Sequence, residues 1–210
     1  MRVFLSNLGC KLNQAEVDAL ARQFRARGHA VVGTLADADV HIVNSCTVTH
    51  LAARDSRKAA RRGARERHRP RTVLTGCHAT AQPEEAARLG VDLVVDNRDK
   101  DRLVELVARA FSESVRVGTA RPAASGLASK RARPDHPADE PVRLLVRADE
   151  PAPSRVPVSY VRLEFGTARA LVKVEDGCDM RCAFCVIPST RGAQRSRPLR
   201  EVVAEIRALE

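Results

Sequence analysis

The chain has 210 residues and a formal net charge of +10, Lys plus Arg numbering 36 and Asp plus Glu 26; at about 100–200 residues per domain it holds one or two domains. A hydrophobic content of 44% suffices for a buried core and excludes wholesale disorder. Five Phe, one Tyr and no Trp argue against a single-strand binder built on stacked aromatic rings, while the basic excess suits a polyanion such as nucleic acid without identifying one.

The N-terminus reads MRVFLSNLGCK, too short an apolar run for a signal peptide, and no stretch approaches the ~20 apolar residues that span a membrane. A cytoplasmic location with no membrane partner is expected, in which six cysteines act as metal ligands or reactive thiols rather than as disulfides. Along the chain, residues 3–5 form a short apolar strand, and a helix is expected over 13–27, with Gly28 just past its C-terminus. Residues 29–33 and 40–44 read as strands, then 49–66 as a helix stopped by Pro70. A strand over 72–75, a helix over 82–89 with Pro83 in its first turn, a strand over 91–95 and an amphipathic helix over 100–111 follow. Short apolar strands alternating with helices imply a parallel sheet covered on both faces. The expected fold is therefore α/β, a doubly wound parallel-sheet domain over residues 1–115.

Residues 116–157 hold seven of the eleven prolines, and no helix runs far through such spacing. A flexible or extended linker is expected over 116–168, with a brief strand at 144–146. From 169 the pattern resumes, with a strand over 170–174 (ALVKV), a cysteine-rich loop, and a helix over 199–209 whose Leu199, Val202, Val203, Ile206 and Leu209 share one face. A lone β-loop-α unit does not bury its own faces, so the 210 residues read as the front of a longer protein.

Cys178, Cys182 and Cys185 form C-x3-C-x2-C within GCDMRCAFCVIP. One loop can wrap three thiolates around one centre, and three thiolates leave a four-iron cubane with one iron open to a chelating substrate. Structural zinc takes four closed ligands, and no fourth Cys or His lies near in sequence. A zinc knuckle completed from elsewhere, or unrelated buried cysteines, are the alternatives. The other three cysteines are dispersed: Cys10 (NLGC), Cys46 (NSC) and Cys77 (TGC) each follow an expected strand and precede an expected helix. A parallel sheet would bring all three to its carboxyl edge, where such domains bind ligands and helix N-termini favour an anionic, thiolate-ligated centre. A second metal cluster is the reading, and three small buried cysteines at strand ends are the alternative.

The triplet, with Phe184 before its last cysteine, resembles the radical S-adenosylmethionine superfamily. In that superfamily three such cysteines hold a [4Fe–4S] cluster that binds S-adenosyl-L-methionine and cleaves it to a 5′-deoxyadenosyl radical. The combination of LGCKLNQAEVD, NSCTVT and TGCHA with that triplet is similar to the methylthiotransferases, over residues 1–111 and 170–210. The resemblance implies an auxiliary [4Fe–4S] cluster on Cys10, Cys46 and Cys77, a second one on Cys178, Cys182 and Cys185, and no catalytic residue beyond these ligands. It further implies that residues 169–210 are the first β-loop-α unit of a truncated radical-SAM (β/α) barrel. The segment CVIPSTRGAQRSRPLREVVAEIRAL is closest to the branch that places a methylthio group on C2 of N6-threonylcarbamoyladenosine at tRNA position 37. Adjoining branches act on isopentenyladenosine-37 or on a ribosomal-protein aspartate. Implied partners are the tRNA anticodon loop and a low-potential electron donor such as flavodoxin or ferredoxin; the fragment alone is expected to be inactive. The proline-rich linker is longer than the family pattern, and a zinc-stabilised RNA-binding module is the reading of another class.

Arg54, Arg57, Lys58, Arg61, Arg62 and Arg65 recur at one helical face, either solvated or facing tRNA phosphates. Arg191, Arg195, Arg197 and Arg200 follow the triplet and suit phosphate contact or a solvated loop. Asn13 and Asn44 are candidates for capping or for hydrogen bonding to cluster sulfur. Asp176 and Asp179 read as loop acids, Met180 as packing, and no histidine pair has ligand spacing.

Overall fold

The computed structural model describes residues 1–112, 143–144 and 170–209; the expected linker lies outside the described residues, apart from 143–144. Six parallel strands form one sheet: β1 (Arg2–Asn7), β2 (Ala30–Val31), β3 (Val40–Ser45), β4 (Arg71–Gly76), β5 (Leu93–Val95) and β6 (Arg143–Leu144), in the order β2-β1-β3-β4-β5-β6. Valine, isoleucine and leucine supply the core positions of the central strands on both covered faces, and all six positions of β3 are buried, His41, Asn44 and Ser45 included. Ile42, Val73, Leu93 and Val95 point to one face, where α1 (Lys11–Ala26) and α5 (Leu103–Ser112) pack with Leu20, Phe24, Leu103 and Val107. Val43, Leu74 and Val94 point to the other, beside Ala60, Ala79, Ala86 and Leu89 from α2 (His50–Ala60), α3 (Cys77–Ala81), α4 (Pro83–Ala87) and the turn after it. The doubly wound α/β expectation holds.

The elements differ from the expectation where local chemistry intervenes. α1 closes as expected at Gly28 (φ +78), whose N–H reaches Arg25 O while His29 N–H reaches Phe24 O, a paired αL closure. α2 stops at Ala60 rather than near residue 66, and Gly63 begins a short 3-10 turn instead. A side chain at Gly63 would collide with the Thr72 hydroxyl, so that turn lies flat against β4. The helix expected over 82–89 is two pieces: α3 starts at Cys77 itself, and Pro83, which lacks an N–H, opens α4. The strand at 144–146 is instead β6 at Arg143–Leu144, paired with β5.

The strand expected over 170–174 is not formed. The described ladder is an antiparallel pair, β7 (Glu175–Asp176) with β8 (Arg195–Ser196), joined only to itself. The preceding residues are held otherwise: Lys173 Nζ lies 3.4 Å from Glu16 Oε1, and Lys173 O accepts a 2.7 Å bond from Arg197. After the hairpin come the single-turn α6 (Ile187–Arg191), inside it, and α7 (Leu199–Leu209). α7 docks on α1 through Arg22 and Glu205, both nearly fully buried and 2.7 Å apart. Among the described residues no helix is long and apolar enough to cross a membrane.

Candidate metal centres

Strands β1, β3 and β4 are neighbours in the sheet and run parallel, so their carboxyl ends coincide: Asn7 pairs with Asn44, and Ser45 with Gly76. Cys10, Cys46 and Cys77 follow those ends within one to three residues. The gap between β1 and β3 is also where the strand order reverses, since β1 leads outward to β2 and the chain then returns to β3 on its other side. Two glycine turns pack the backbone next to the outer cysteines against the end of β3. Gly9 has φ +107, and a Cβ there would stand 2.7 Å from Cys46 Cβ and 2.8 Å from its Sγ. Gly76 has φ +97, and a Cβ there would meet Ser45 O, Ser45 N and Asn44 Oδ1. Only glycine admits both the left-handed φ and that approach.

Each cysteine is held by its surroundings. Cys10 is exposed at the N-cap of α1, whereas Cys46 and Cys77 are buried. The Ser56 hydroxyl clamps Cys46, accepting from its N–H at 2.9 Å and donating to its carbonyl at 2.8 Å. Asn97 Nδ2 lies 3.8 Å from Cys77 Sγ. Asn13 Nδ2 donates to Leu8 O at 2.6 Å and to Ser45 O at 3.1 Å, tying the turn before Cys10 to the residue before Cys46. Asn13, expected to cap or to bond cluster sulfur, instead bridges two backbone carbonyls, with its oxygen 3.7 Å from the Cys10 thiol. Asn44 stands apart from the sulfurs; it donates to Asn13 O at 3.0 Å and to Glu16 at 3.2 Å, from the strand.

The second set sits in the loop between β7 and α6. Gly177, at φ +79, brings the backbone against Gly192 and Ala193, and Cys178 N–H donates to Gly192 O at 3.1 Å. Cys185 N–H donates to Cys182 O at 3.1 Å, folding the loop back on itself. Cys178 is half-buried, and Cys182 and Cys185 are exposed, as are Met180 and Phe184; Met180 therefore does not pack as expected. Asp179 acts as a loop acid, accepting from Gln194 N–H at 2.9 Å.

Between the two sets lies a buried charge network that the motif reading missed. Glu16 accepts from Lys100 at 2.7 Å and from Arg191 at 2.8 Å, with Lys173 at 3.4 Å. Arg191 also donates to Asp176 at 2.9 Å, and Lys100 to Asn44 Oδ1 at 3.0 Å. Burial pushes the Glu16 carboxyl up, but Lys100, Arg191 and Lys173 together hold it well below the usual range. Burial likewise opposes the charge of Arg191, yet Glu16, then Cys77 and Asp176, hold it charged above its ordinary value. Lys100 is displaced downward by burial, against the pull of Glu16. The signal for Glu16 was present in the sequence, since it lies on the buried α1 face with Asn13, Val17, Leu20 and Phe24. Arg191, read as a phosphate or loop residue, faces inward instead, and Asp176 is an ion-pair partner rather than a plain loop acid.

None of the six cysteines is in a disulfide. Among the described residues no three His, Cys, Asp or Glu side chains stand close enough together to share one metal ion. The structure brings each cysteine set to one edge or one loop without drawing it to a single point. The donor chemistry fits a four-iron cluster: three thiols per set, without a fourth soft ligand among the described residues to close a zinc site. The flanking network fits too, since Lys100, Lys173 and Arg191 exceed Glu16 and Asp176 by one positive charge, complementing an anionic centre.

The fold and the paired cysteine sets define a class. Residues 2–96 match the family described as "Uncharacterized protein family UPF0004", and this α/β domain is a member of it. Over its whole length the chain is homologous to proteins named as methylthiotransferases. It is 32% identical over 213 residues to "Threonylcarbamoyladenosine tRNA methylthiotransferase MtaB" of Aquifex aeolicus, covering 100% of this chain and 45% of that protein. It is 31% identical over 217 residues to "tRNA-2-methylthio-N(6)-dimethylallyladenosine synthase" of Akkermansia muciniphila, covering 99% and 43%. It is 32% identical over 225 residues to "Ribosomal protein uS12 methylthiotransferase RimO" of Roseiflexus castenholzii, covering 100% and 43%. The chain spans less than half the length of these relatives.

Proposed function

We propose that this chain is the N-terminal part of a cytoplasmic, tRNA-modifying methylthiotransferase that places a methylthio group on C2 of N6-threonylcarbamoyladenosine at tRNA position 37. The observation that carries the reading is the arrival of Cys10, Cys46 and Cys77 at the carboxyl ends of three adjacent parallel strands, beside the docked segment of Cys178, Cys182 and Cys185. Cys178, Cys182 and Cys185 would hold the [4Fe–4S] cluster that takes S-adenosyl-L-methionine, in a unit that begins a radical-SAM barrel. Cys10, Cys46 and Cys77 would hold the auxiliary [4Fe–4S] cluster. When bound, these groups supply the one-electron cleavage of S-adenosylmethionine and the sulfur to be transferred.

The chain's own residues set the environment. Burial of Cys46 and Cys77 excludes water from two ligands of the first set, while the exposed Cys182 and Cys185 leave the second open to a small substrate and to an electron donor such as flavodoxin or ferredoxin. The basic face of α2 and its following turn, with Arg54, Lys58, Arg61, Arg62 and Arg65 exposed and Arg57 partly so, suits the phosphates of the tRNA anticodon stem and loop. A relative named for threonylcarbamoyladenosine tRNA and one named for ribosomal protein uS12 are both 32% identical to the chain, so a ribosomal-protein aspartate is the second reading.

The test is iron, sulfide and zinc per chain after anaerobic reconstitution, with electron paramagnetic resonance of the reduced sample. The expected result is about eight irons, falling to about four when Cys178, Cys182 and Cys185 are all replaced by Ala. One or two zinc ions with no cluster signal would replace the reading with a zinc-stabilised RNA-binding module. Competition between tRNA and uS12 for the full-length enzyme decides the substrate.

A further inference from the structure

Two consecutive residues of α6, Thr190 and Arg191, are buried against the sheet edge that bears Cys10, Cys46 and Cys77. Thr190 O accepts a 2.7 Å bond from Asn97 Nδ2, the nitrogen that lies 3.8 Å from Cys77 Sγ. Arg191 Nη2 donates to Asn13 Oδ1 at 2.7 Å. The Asn13 amide then spans the turn before Cys10 and the strand end before Cys46, through Leu8 O and Ser45 O. One element, beginning two residues beyond Cys185, thus bonds both side-chain amides, Asn13 and Asn97, that stand beside the first set.

Charge points the same way. Lys100 is engaged by Glu16 and Asn44, and Lys173 by Glu16 and Asp176. Arg191 shares those carboxylates, Glu16 at 2.8 Å and Asp176 at 2.9 Å, but it alone of the three cations, at 2% exposure, also bonds directly to the amide that bridges the cysteine turns. A guanidinium does not release its proton in a protein, so this positive charge is permanent.

We propose that Arg191 is a positioning residue for the Cys10–Cys46–Cys77 centre: it locks the Asn13 bridge and supplies a fixed positive charge that favours the reduced form while the Cys178–Cys185 segment is docked. This rests on the assignment of a four-iron centre to those three cysteines. Reduction brings in one electron, from dithionite in the experiment below, and leaves the centre one unit more negative. A buried cation beside it lowers the energy of that state. The charge arrives on the chain segment that carries the other cysteine set, so undocking that segment removes it.

The experiment uses the chain with Cys178, Cys182 and Cys185 replaced by Ala, so that one centre is read, reconstituted anaerobically with iron and sulfide. The sample is poised at stepped potentials, and the reduced fraction is measured by electron paramagnetic resonance. Arg191→Gln is expected to lower the reduced-to-oxidised ratio at fixed potential at least about tenfold, equivalent to about 59 mV for one electron. Arg191→Lys keeps the charge and recovers most of that ratio, which a purely structural role would not do. Asp176→Asn removes a negative charge from the same network and shifts the ratio the opposite way; it decides the matter if circular dichroism shows that Arg191→Gln does not fold. An unchanged ratio in folded Arg191→Gln, or a shift of the same sign in Asp176→Asn, overturns the inference alone. Absence of any four-iron signal in the chain with Arg191 intact overturns it together with the reading on which it rests.

Discussion

The two cysteine sets are built by opposite means. Cys178, Cys182 and Cys185 are gathered by sequence proximity: an eight-residue span folds through short backbone bonds, and its sulfurs stay open to solvent. Cys10, Cys46 and Cys77 are gathered by topology, from three strands in register, with two of the three sulfurs buried and the turns tightened by Gly9 and Gly76. The local set depends on its own hairpin and loop, whereas the dispersed set exists only while the sheet does. The difference teaches that protection and access are divided between the regions, with the charge network of Glu16 lying between them.

That network is where the comparison breaks most easily. Glu16→Ala would leave Lys100, Arg191 and Lys173 facing one another without their shared carboxylate, and loss of one member of a buried charge cluster costs about 3–5 kcal/mol. Urea unfolding of the metal-free chain is expected to show that loss. Limited proteolysis should cut the 170–209 segment first, since α6 loses its docking acid. A second break acts on the sheet alone. His41, fully buried in β3, bonds Ser6 Oγ at 2.8 Å and is pushed down to about 4 by burial, with Arg62 adding to the shift. The fold therefore keeps His41 neutral while the unfolded chain gains a proton below about pH 6.5. Its contribution to stability is whole above pH 6.5 and is lost as pH falls to about 4, at about 1.4 kcal/mol per unit, or about 3 kcal/mol in all. Stability curves at pH 7, 5.5 and 4 should show this loss, and the His41→Gln chain should show a smaller one.

The sequence reveals these regions unequally, for physical reasons. Alternating apolar strands and helices announce a doubly wound sheet, because burial on both faces favours aliphatic residues on either side of a central strand, as with Ile42 and Val43 of β3. The three dispersed cysteines were legible because each stood between a strand and a helix, a position that a parallel sheet turns into one edge. Residues 170–174 misled, because an apolar run reads as a strand, while the position of this one is set by Lys173 and Arg197 reaching across to other elements. Arg191 misled too: an arginine in a basic run reads as solvated, and only the packing of α6 on α3 and α1 reveals that it is buried among Glu16, Asp176 and Asn13. Long-range charge pairs leave no periodic trace in a single sequence.

Gly76→Ala sharpens the distinction between the sets. The new Cβ would be forced into a φ of +97 and against Ser45, combining backbone strain with crowding, at a cost of about 2–3 kcal/mol. Because the turn packs on Ser45 and leads directly into Cys77, iron held by the dispersed set under the proposed assignment should fall while iron held by Cys178, Cys182 and Cys185 is retained. Equal loss from both sets would mean that the turn supports the whole chain rather than one centre.

The smallest effect comes from a matched pair in the metal-free chain. Cys77 is 2% exposed, and its truncation to Ala empties a packed site beside Asn97 and leaves that amide one partner fewer, costing about 1–2 kcal/mol. Cys185 is exposed, and the same truncation there should stay within about 0.5 kcal/mol. Metal ligation alone would make the two cysteines equivalent, since each is one thiol of three. Only the difference in construction separates them once the metal is gone. Chemical unfolding of the two apo variants side by side measures that difference directly, and equal costs would mean that the sheet edge reaches its packed form only after a centre is bound.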